Sequence, residues 1–229
     1  MTGLVLKLSY NKIGENPVGG ICGSFFFISP NIAATAHHVL NIKEFKPNDG
    51  FSSCQYWMLI QPDIVIELKK QDLIELPEID STVVKIREKF NIPIKEIATT
   101  IRQAGHPCYN EGFTGGLMPE VEACWGASGL IINGCNYKNT VANGDGHIQS
   151  IQTLIVNAAD IKMHNVKGLE TSYGGKHGMS GGPLIDKETN EIIGLMSIGL
   201  PPDVQIKETL FAVEIGQLMD KLRNVININ

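Results

Sequence analysis

The segment Gly178-Met179-Ser180-Gly181-Gly182-Pro183-Leu184 and the upstream run Thr35-Ala36-His37-His38-Val39 hold residue types that acyl transfer needs. A serine hydroxyl is a weak nucleophile. It needs a base to take its proton and fixed donors to stabilise the oxyanion of a tetrahedral intermediate. Glycines around Ser180 let the backbone turn tightly enough for its N–H groups to converge on one point. A Gly-x-Ser-Gly-Gly string alone also describes an ordinary surface turn, so the elements that would position it matter.

Those elements read as strands. Short runs rich in Ile, Val and Phe recur between Gly, Pro, Asn and Asp residues: Ser24–Ile28, Trp57–Ile60, Ile64–Leu68, Val83–Ile86, Gly129–Ile132, Ile151–Val156 and Ile192–Ile198. Their recurrence predicts an all-β sandwich or barrel. Only the C-terminus has helical spacing, with Ile215, Leu218, Met219 and Leu222 on one face and Gln217, Asp220, Lys221 and Arg223 between them. Ile92-Pro93-Ile94-Lys95-Glu96 reads as a connection between two β lobes. Phe25-Phe26-Phe27 reads as a buried strand, Trp57 and Trp125 as anchors, and Gly112–Gly116 and Tyr173–Gly175 as turns.

Composition narrows the function classes. The 229 residues suffice for one large domain or two lobes sharing a cleft, and 43% hydrophobic with 19% charged residues suits a globular core. No stretch approaches the roughly 20 apolar residues of a membrane span. The start, Met1 to Lys12, alternates and lacks the layout of a signal peptide. A net charge of −5 argues against a nucleic-acid surface, which needs clustered Lys and Arg. Cys22, Cys54, Cys108, Cys124 and Cys135 are odd in number and have no C-x-x-C spacing, so neither a disulfide framework nor a zinc site is expected. His106-x-Cys108 lacks further ligands. Buried, reduced thiols in a cytoplasmic compartment are the simplest account, and no cofactor or metal is implied.

The order of these motifs resembles a trypsin-like (chymotrypsin-fold) serine protease of the bacterial intracellular kind. Gly23 to Asn31 followed by Ile32 to Val39 resembles the family's strand, turn, strand and catalytic-His segment. Ala104-Gly105-His106-Pro107 resembles a strand end early in its second barrel. Gly178 to Asp186, then Glu191 to Gly199, resembles its nucleophile loop and substrate-receiving strand, and Phe211-Ala212-Val213 its last strand. The resemblance implies two packed antiparallel six-stranded-type β-barrels in a single peptidase domain. The first would run over residues 1–95, the second over 96–213, with a C-terminal α-helix over 214–229.

The family pattern selects His38 over His37 as the base that takes and returns the Ser180 proton. Asp80 heads Asp80-Ser81-Thr82-Val83-Val84-Lys85-Ile86, which resembles the family's strand bearing the acid that orients the base. Asp63 is its rival, Asp72 a more distant one, and a turn or cap role is the ordinary fate of any Asp. The resemblance places the oxyanion hole at the Gly178 and Ser180 amides. Met179 departs from relatives that carry there an acid pairing with a cut N-terminus, so no N-terminal cleavage is expected. Ser197 to Gly199 should line the primary pocket and pair with an extended peptide. Gly174 stands where Arg/Lys-specific relatives place an acid, and Leu210 where open-pocket relatives have glycine. The first leaves a preference for basic residues unsupported, and the second implies a shallow pocket for small or medium apolar residues. His177 is a rim residue that could contact a polar or acidic side chain.

The implied partner is a protein or peptide substrate, with neither nucleic acid nor membrane and with room for an activating partner protein; the oligomeric state is left open. A catalytically silent peptide-binding module is the rival reading. An esterase-type elbow is disfavoured, because Ser180 is followed by another strand-like run and not by a helix.

Overall fold

The computed structural model describes residues 1–40, 47–60, 64–137, 141–158, 161–200 and 209–226. Two β lobes carry the site. In the first lobe, β1 (Thr2–Tyr10), β2 (Val18–Ser29), β3 (Ile32–Ala36), β4 (Ser53–Ile60), β5 (Ile64–Glu67), β6 (Leu73–Leu76) and β7 (Ser81–Lys85) form one antiparallel sheet in the order β5-β4-β1-β2-β3-β7-β6. A single helical turn, α1 (His37–Leu40), follows β3. In the second lobe, β8 (Pro107–Phe113), β11 (Val141–Asn157), β12 (Lys162–Thr171), β13 (Pro183–Asp186), β14 (Ile192–Leu200) and β15 (Thr209–Glu214) close into a barrel in the order β11-β12-β15-β14-β13-β8. Between β8 and β11, β9 (Glu120–Gly126) and β10 (Gly129–Asn136) form a separate two-stranded hairpin. The helix α2 (Ile215–Ile226) ends the described chain.

The fold class expected from the sequence is observed, with one correction. The second lobe is a six-stranded barrel, whereas the first is a seven-stranded sheet that does not close among the described residues. A cavity of about 240 Å3 lies between Val65–Lys69 and Val84–Phe90, where closure would occur. Glu67, Lys69, Asp72, Lys85 and Arg87 line it, and charged side chains at strand edges oppose pairing. Gly112 is likewise a strand residue, opposite Ala142, and not part of a turn.

Alternation along β1 sends Leu4, Leu6 and Leu8 to one face and Val5 to the other, as the strand period requires. Val5 joins Phe25, Phe26, Phe27 and Val83 in a core that also takes Leu195, Phe211 and Val213 of the second lobe and Ile215, Leu218 and Leu222 of α2. This shared core packs the lobes together. A second core fills the barrel, with Cys108, Ile148, Leu169, Leu184, Met196 and Leu210. The segment Ile92–Glu96 connects the lobes without regular structure, as its composition predicts. Lys221 of α2 pairs with Glu78 at 3.0 Å, tying the helix to the turn before β7.

The thiols depart from expectation in one respect. None of the five is in a disulfide, and Cys108 and Cys135 are buried, but Cys22 and Cys54 are half-buried and Cys124 is exposed on the hairpin. Trp57 is a core residue. Trp125 packs edge-on against Tyr10, with ring centroids 5.0 Å apart.

Candidate active site

Antiparallel pairing of β3 with β7 sets Ala36 opposite Ser81 and so brings α1 beside Asp80. The His37 amide donates to the Asp80 carbonyl at 3.0 Å. Asp80 caps the turn Pro77–Ile79 with φ 45° and ψ 44°. That left-handed conformation is uncommon outside glycine, and aspartate is among the residues that tolerate it. It turns the carboxylate back onto α1, where it is only 1% exposed.

Three donors converge on that carboxylate. His38 Nδ1 lies 2.8 Å from Oδ2, the His38 amide donates to Oδ1 at 3.1 Å, and Ser197 Oγ donates to Oδ2. A carboxylate accepts at both oxygens, so His38 carries its proton on Nδ1 and keeps Nε2 as an acceptor. The His38 ring is 20% exposed, so it is open to the cleft on one side. His37 points elsewhere, its Nδ1 lying 3.1 Å from Thr82 Oγ1. Among the rivals of Asp80, Asp72 sits 3.5 Å from Arg87, and Asp63 lies outside the described residues.

Ser180 sits in a loop whose carbonyls are all tied down. Gly115 N donates to His177 O at 2.7 Å, Ser24 Oγ to Gly178 O at 2.8 Å, Gly182 N to Met179 O at 3.0 Å, and Ser24 N to Ser180 O at 2.8 Å. A trans peptide directs its N–H opposite to its C=O. The Gly178 and Ser180 N–H groups therefore point away from those anchors, and neither donates to an acceptor among the described residues. The Met179 and Gly181 amides differ, donating to Lys176 O and Met196 O at 3.1 and 2.7 Å. Gly178 has φ +95°, and a Cβ there would lie 2.2 Å from Gly115 N, so only glycine fits. The loop thus presents two unpaired donors beside one hydroxyl, the arrangement that stabilises an oxyanion. The Ser180 hydroxyl itself donates to the Ser197 carbonyl at 3.2 Å, and no hydrogen bond joins it to His38.

Met179 is buried, and its Sδ accepts from the Lys176 amide at 2.9 Å. The Met1 ammonium lies elsewhere, donating to Pro93 O at 3.1 Å.

The pocket residues divide. Gly199 and Leu210 are cross-strand partners in β14 and β15, and the Leu210 side chain lies against Gly175, where a Cβ would come within 2.6 Å of it. Gly174 is half-buried beside them in the chain, and His177 is exposed at the edge of the loop, its ring against Gly115. Ser197 differs from expectation: it is 2% exposed, and its hydroxyl faces Asp80 rather than a pocket. Beyond Ser197, Ile198 and Phe211 with Leu154 and Val156 line a cavity of about 430 Å3.

Two residues at the site escaped the sequence reading. Ser24 looked like part of a buried strand, yet its amide and hydroxyl hold two carbonyls of the Ser180 loop, and its hydroxyl also accepts from the Phe113 amide at 3.1 Å. A serine fully buried in an otherwise apolar run was the available signal. Gly115 acts through its amide and through the space its missing Cβ leaves, 2.4 Å from His177 Nδ1, and no side-chain pattern reveals either. Among the described residues no group of three or more His, Cys, Asp or Glu could hold a metal. No helix there is long and apolar enough to cross a membrane.

No protein-family model and no curated protein matches the sequence. Solved structures do match. The Rv3671c protease from M. tuberculosis in its active form is 16% identical with a TM-score of 0.60, over 98% of this chain and 81% of that one. The HtrA-type protease AlgW with a decapeptide is 15% identical with a TM-score of 0.62, over 99% of this chain and 64% of that one. The serine endoprotease from Yersinia pestis is 17% identical with a TM-score of 0.58, over 98% of this chain and 63% of that one. This chain therefore spans less than two thirds of the latter two. With two β lobes, a terminal helix and these neighbours, the chain has the trypsin-like serine-protease fold.

Proposed function

We propose that this protein is a serine endopeptidase, with Ser180 as nucleophile, His38 as general base and Asp80 as the acid that orients it. The observation that carries the reading is the convergence of His38 Nδ1, the His38 amide and Ser197 Oγ on the buried Asp80 carboxylate. That network fixes the tautomer in which Nε2 accepts a proton. Ser180 Oγ turns from the Ser197 carbonyl to His38 and attacks the scissile carbonyl while Nε2 takes its proton. The oxyanion forms against the Gly178 and Ser180 amides. Nε2 then gives the proton to the leaving amine, and water cleaves the acyl-enzyme by the same exchange in reverse roles.

Leu210 against Gly175 supports a shallow pocket for small or medium apolar side chains, and Gly174, which is not an acid, gives no support to a preference for basic ones. Buried, apolar Met179 supports activity without an N-terminal cut. Five cysteines, none in a disulfide, support a reducing, cytoplasmic compartment.

The test is labelling with a fluorophosphonate probe. Labelling at Ser180 that Ser180→Ala and His38→Ala both abolish is the expected result. A folded wild-type protein that stays unlabelled overturns constitutive proteolysis. One observation favours a second reading: Ser180 Oγ rests on Ser197 O and not on His38. In that reading the chain binds peptides silently, or an activating partner protein turns the hydroxyl onto His38.

A further inference from the structure

The β9–β10 hairpin belongs to neither lobe's sheet. A lone two-stranded hairpin is marginally stable in water, so this one owes its order to what it docks against. Its partner is the outer face of the first lobe. Leu130, Ile132 and Cys135, with Val121 and Trp125, pack on Leu4, Leu6, Leu8, Trp57 and Leu59. Gln55 of β4 pins the hairpin by its backbone: Leu130 N donates to Gln55 Oε1 at 2.8 Å, and Gln55 Nε2 donates to Leu130 O at 3.2 Å. Gly129, at φ +138°, makes the approach possible, since a Cβ there would stand 2.5 Å from Gln55 Oε1.

The hairpin leaves β8 through Gly115 and Gly116, and this stem touches the reacting centre. Gly116 N donates to Ile21 O at 2.8 Å and Ile21 N to Leu117 O at 2.9 Å, a reciprocal pair with β2. One residue earlier, Gly115 N holds His177 O at 2.7 Å. That bond decides which way the His177–Gly178 peptide faces, and so where the Gly178 N–H points.

We propose that the β9–β10 hairpin is a positioning element: docked on the first lobe, it holds Gly115 where it orients the Gly178 N–H toward the reacting carbonyl. The inference rests on the peptidase reading of Ser180. Gln55 and Gly129 touch neither the triad residues nor the Ser180 loop among the described contacts; besides the hairpin, the Gln55 side chain accepts from Tyr10 Oη at 2.9 Å and donates to Glu67 Oε1 at 3.1 Å, both in the first lobe and away from that loop. Releasing the hairpin leaves Gly115 steadied only by the two stem bonds to Ile21, so the His177–Gly178 peptide gains freedom to rotate and one oxyanion donor is withdrawn while the triad stays intact.

The experiment compares wild type with Gln55→Ala and Gly129→Ala by two readouts. The first is hydrogen–deuterium exchange, which needs no activity. We expect faster exchange in residues 118–136 together with 175–180, and unchanged protection in β3 and β7. The second is peptide hydrolysis. We expect kcat to fall about tenfold or more with KM within about twofold, and the inhibition constant of a peptide boronic acid to rise by the same factor as kcat falls. Faster exchange confined to 118–136, or a released hairpin with unchanged kcat, overturns the proposal. An inactive wild type overturns the peptidase reading instead, and exchange at 175–180 then decides the positioning role alone. If Gly129→Ala fails to fold, Gln55→Ala carries the test.

Discussion

Replacing Asp80 by asparagine separates fold from chemistry at this site. The carboxylate receives three donors on two oxygens, and an amide has only one accepting oxygen. If the amide oxygen takes the Oδ2 place, its NH2 meets the His38 amide donor head-on in a nearly sealed site. An unsatisfied buried donor costs about 1–3 kcal/mol. If the oxygen takes the Oδ1 place, the His38 amide keeps its acceptor, the Ser197 hydroxyl can rotate to accept, and Nδ1 accepts from the NH2. This second arrangement leaves only the Ser197 hydroxyl proton without its former acceptor, so the protein adopts it, with His38 protonated on Nε2. That tautomer cannot take the Ser180 proton. The expected loss is about four decades in kcat/KM, as for a triad with the wrong tautomer, or about 5 kcal/mol at roughly 1.4 kcal/mol per decade. The expected fall in Tm is only about 2–8 °C, from a stability change of about 1–2 kcal/mol in a chain this long. The assay is hydrolysis of a fluorogenic peptide, with Asp63→Asn and Asp72→Asn alongside, both holding kcat/KM within about threefold. An Asp80→Asn protein keeping more than a tenth of wild-type kcat/KM refutes the assignment of the orienting acid.

Other outcomes follow from the same geometry. Gly178→Ala forces a Cβ toward Gly115 N at φ +95°, and kcat should fall about 10²–10³-fold, as loss of an oxyanion donor does; an unimpaired variant would place the hole elsewhere. Burial would raise the Asp186 carboxyl, but hydrogen bonds from Arg102 and His106 and from the Glu188 and Thr189 amides outweigh it and hold it well below its ordinary 3.8. A depressed folded pKa stabilises the fold above the unfolded pKa and loses that contribution as pH falls through the folded one. Asp186→Asn should therefore lower Tm at pH 7 and lower it less and less below about pH 4, and a pH-independent difference in melting curves would contradict this. Burial pushes the Cys22 and Cys108 thiols up to about 12, so iodoacetamide at pH 8 should alkylate exposed Cys124 well before either. Peptide mass mapping at short times reads that order directly.

The segments around His38 and Ser180 stood out in the sequence because acyl transfer would demand particular side chains in particular company. Asp80 stood out because it heads an apolar run, and the left-handed turn at its own backbone is what sets its carboxylate against His38. What stayed hidden acts through main-chain groups or through distant partners. Gly115 contributes an N–H, which every residue but proline has. Ser24 read as strand because its neighbours are phenylalanines, and nothing local tells which loop its hydroxyl meets. Ser197 followed the family expectation of a pocket wall, while its register in β14 turns it toward Asp80. Gly129–Ile132 was read correctly as strand, yet periodicity reports a buried face and not what covers it. Docking of that hairpin on Leu4, Leu6 and Leu8 was therefore invisible. The open first sheet has β5 and β6 as its edges, two strands whose facing is decided only once the chain has folded.

Ser24 ties this chemistry to the order in which the chain is made. The residue belongs to β2 and leaves synthesis early, while the carbonyls of Gly178 and Ser180 that it grips arrive far later. A free second half, cut or expressed alone, would hold a serine whose loop lacks its clasp. On the peptidase reading, neither half of the chain holds the whole centre, and damage to the seam around Ser24 should silence the chemistry before it unfolds either lobe.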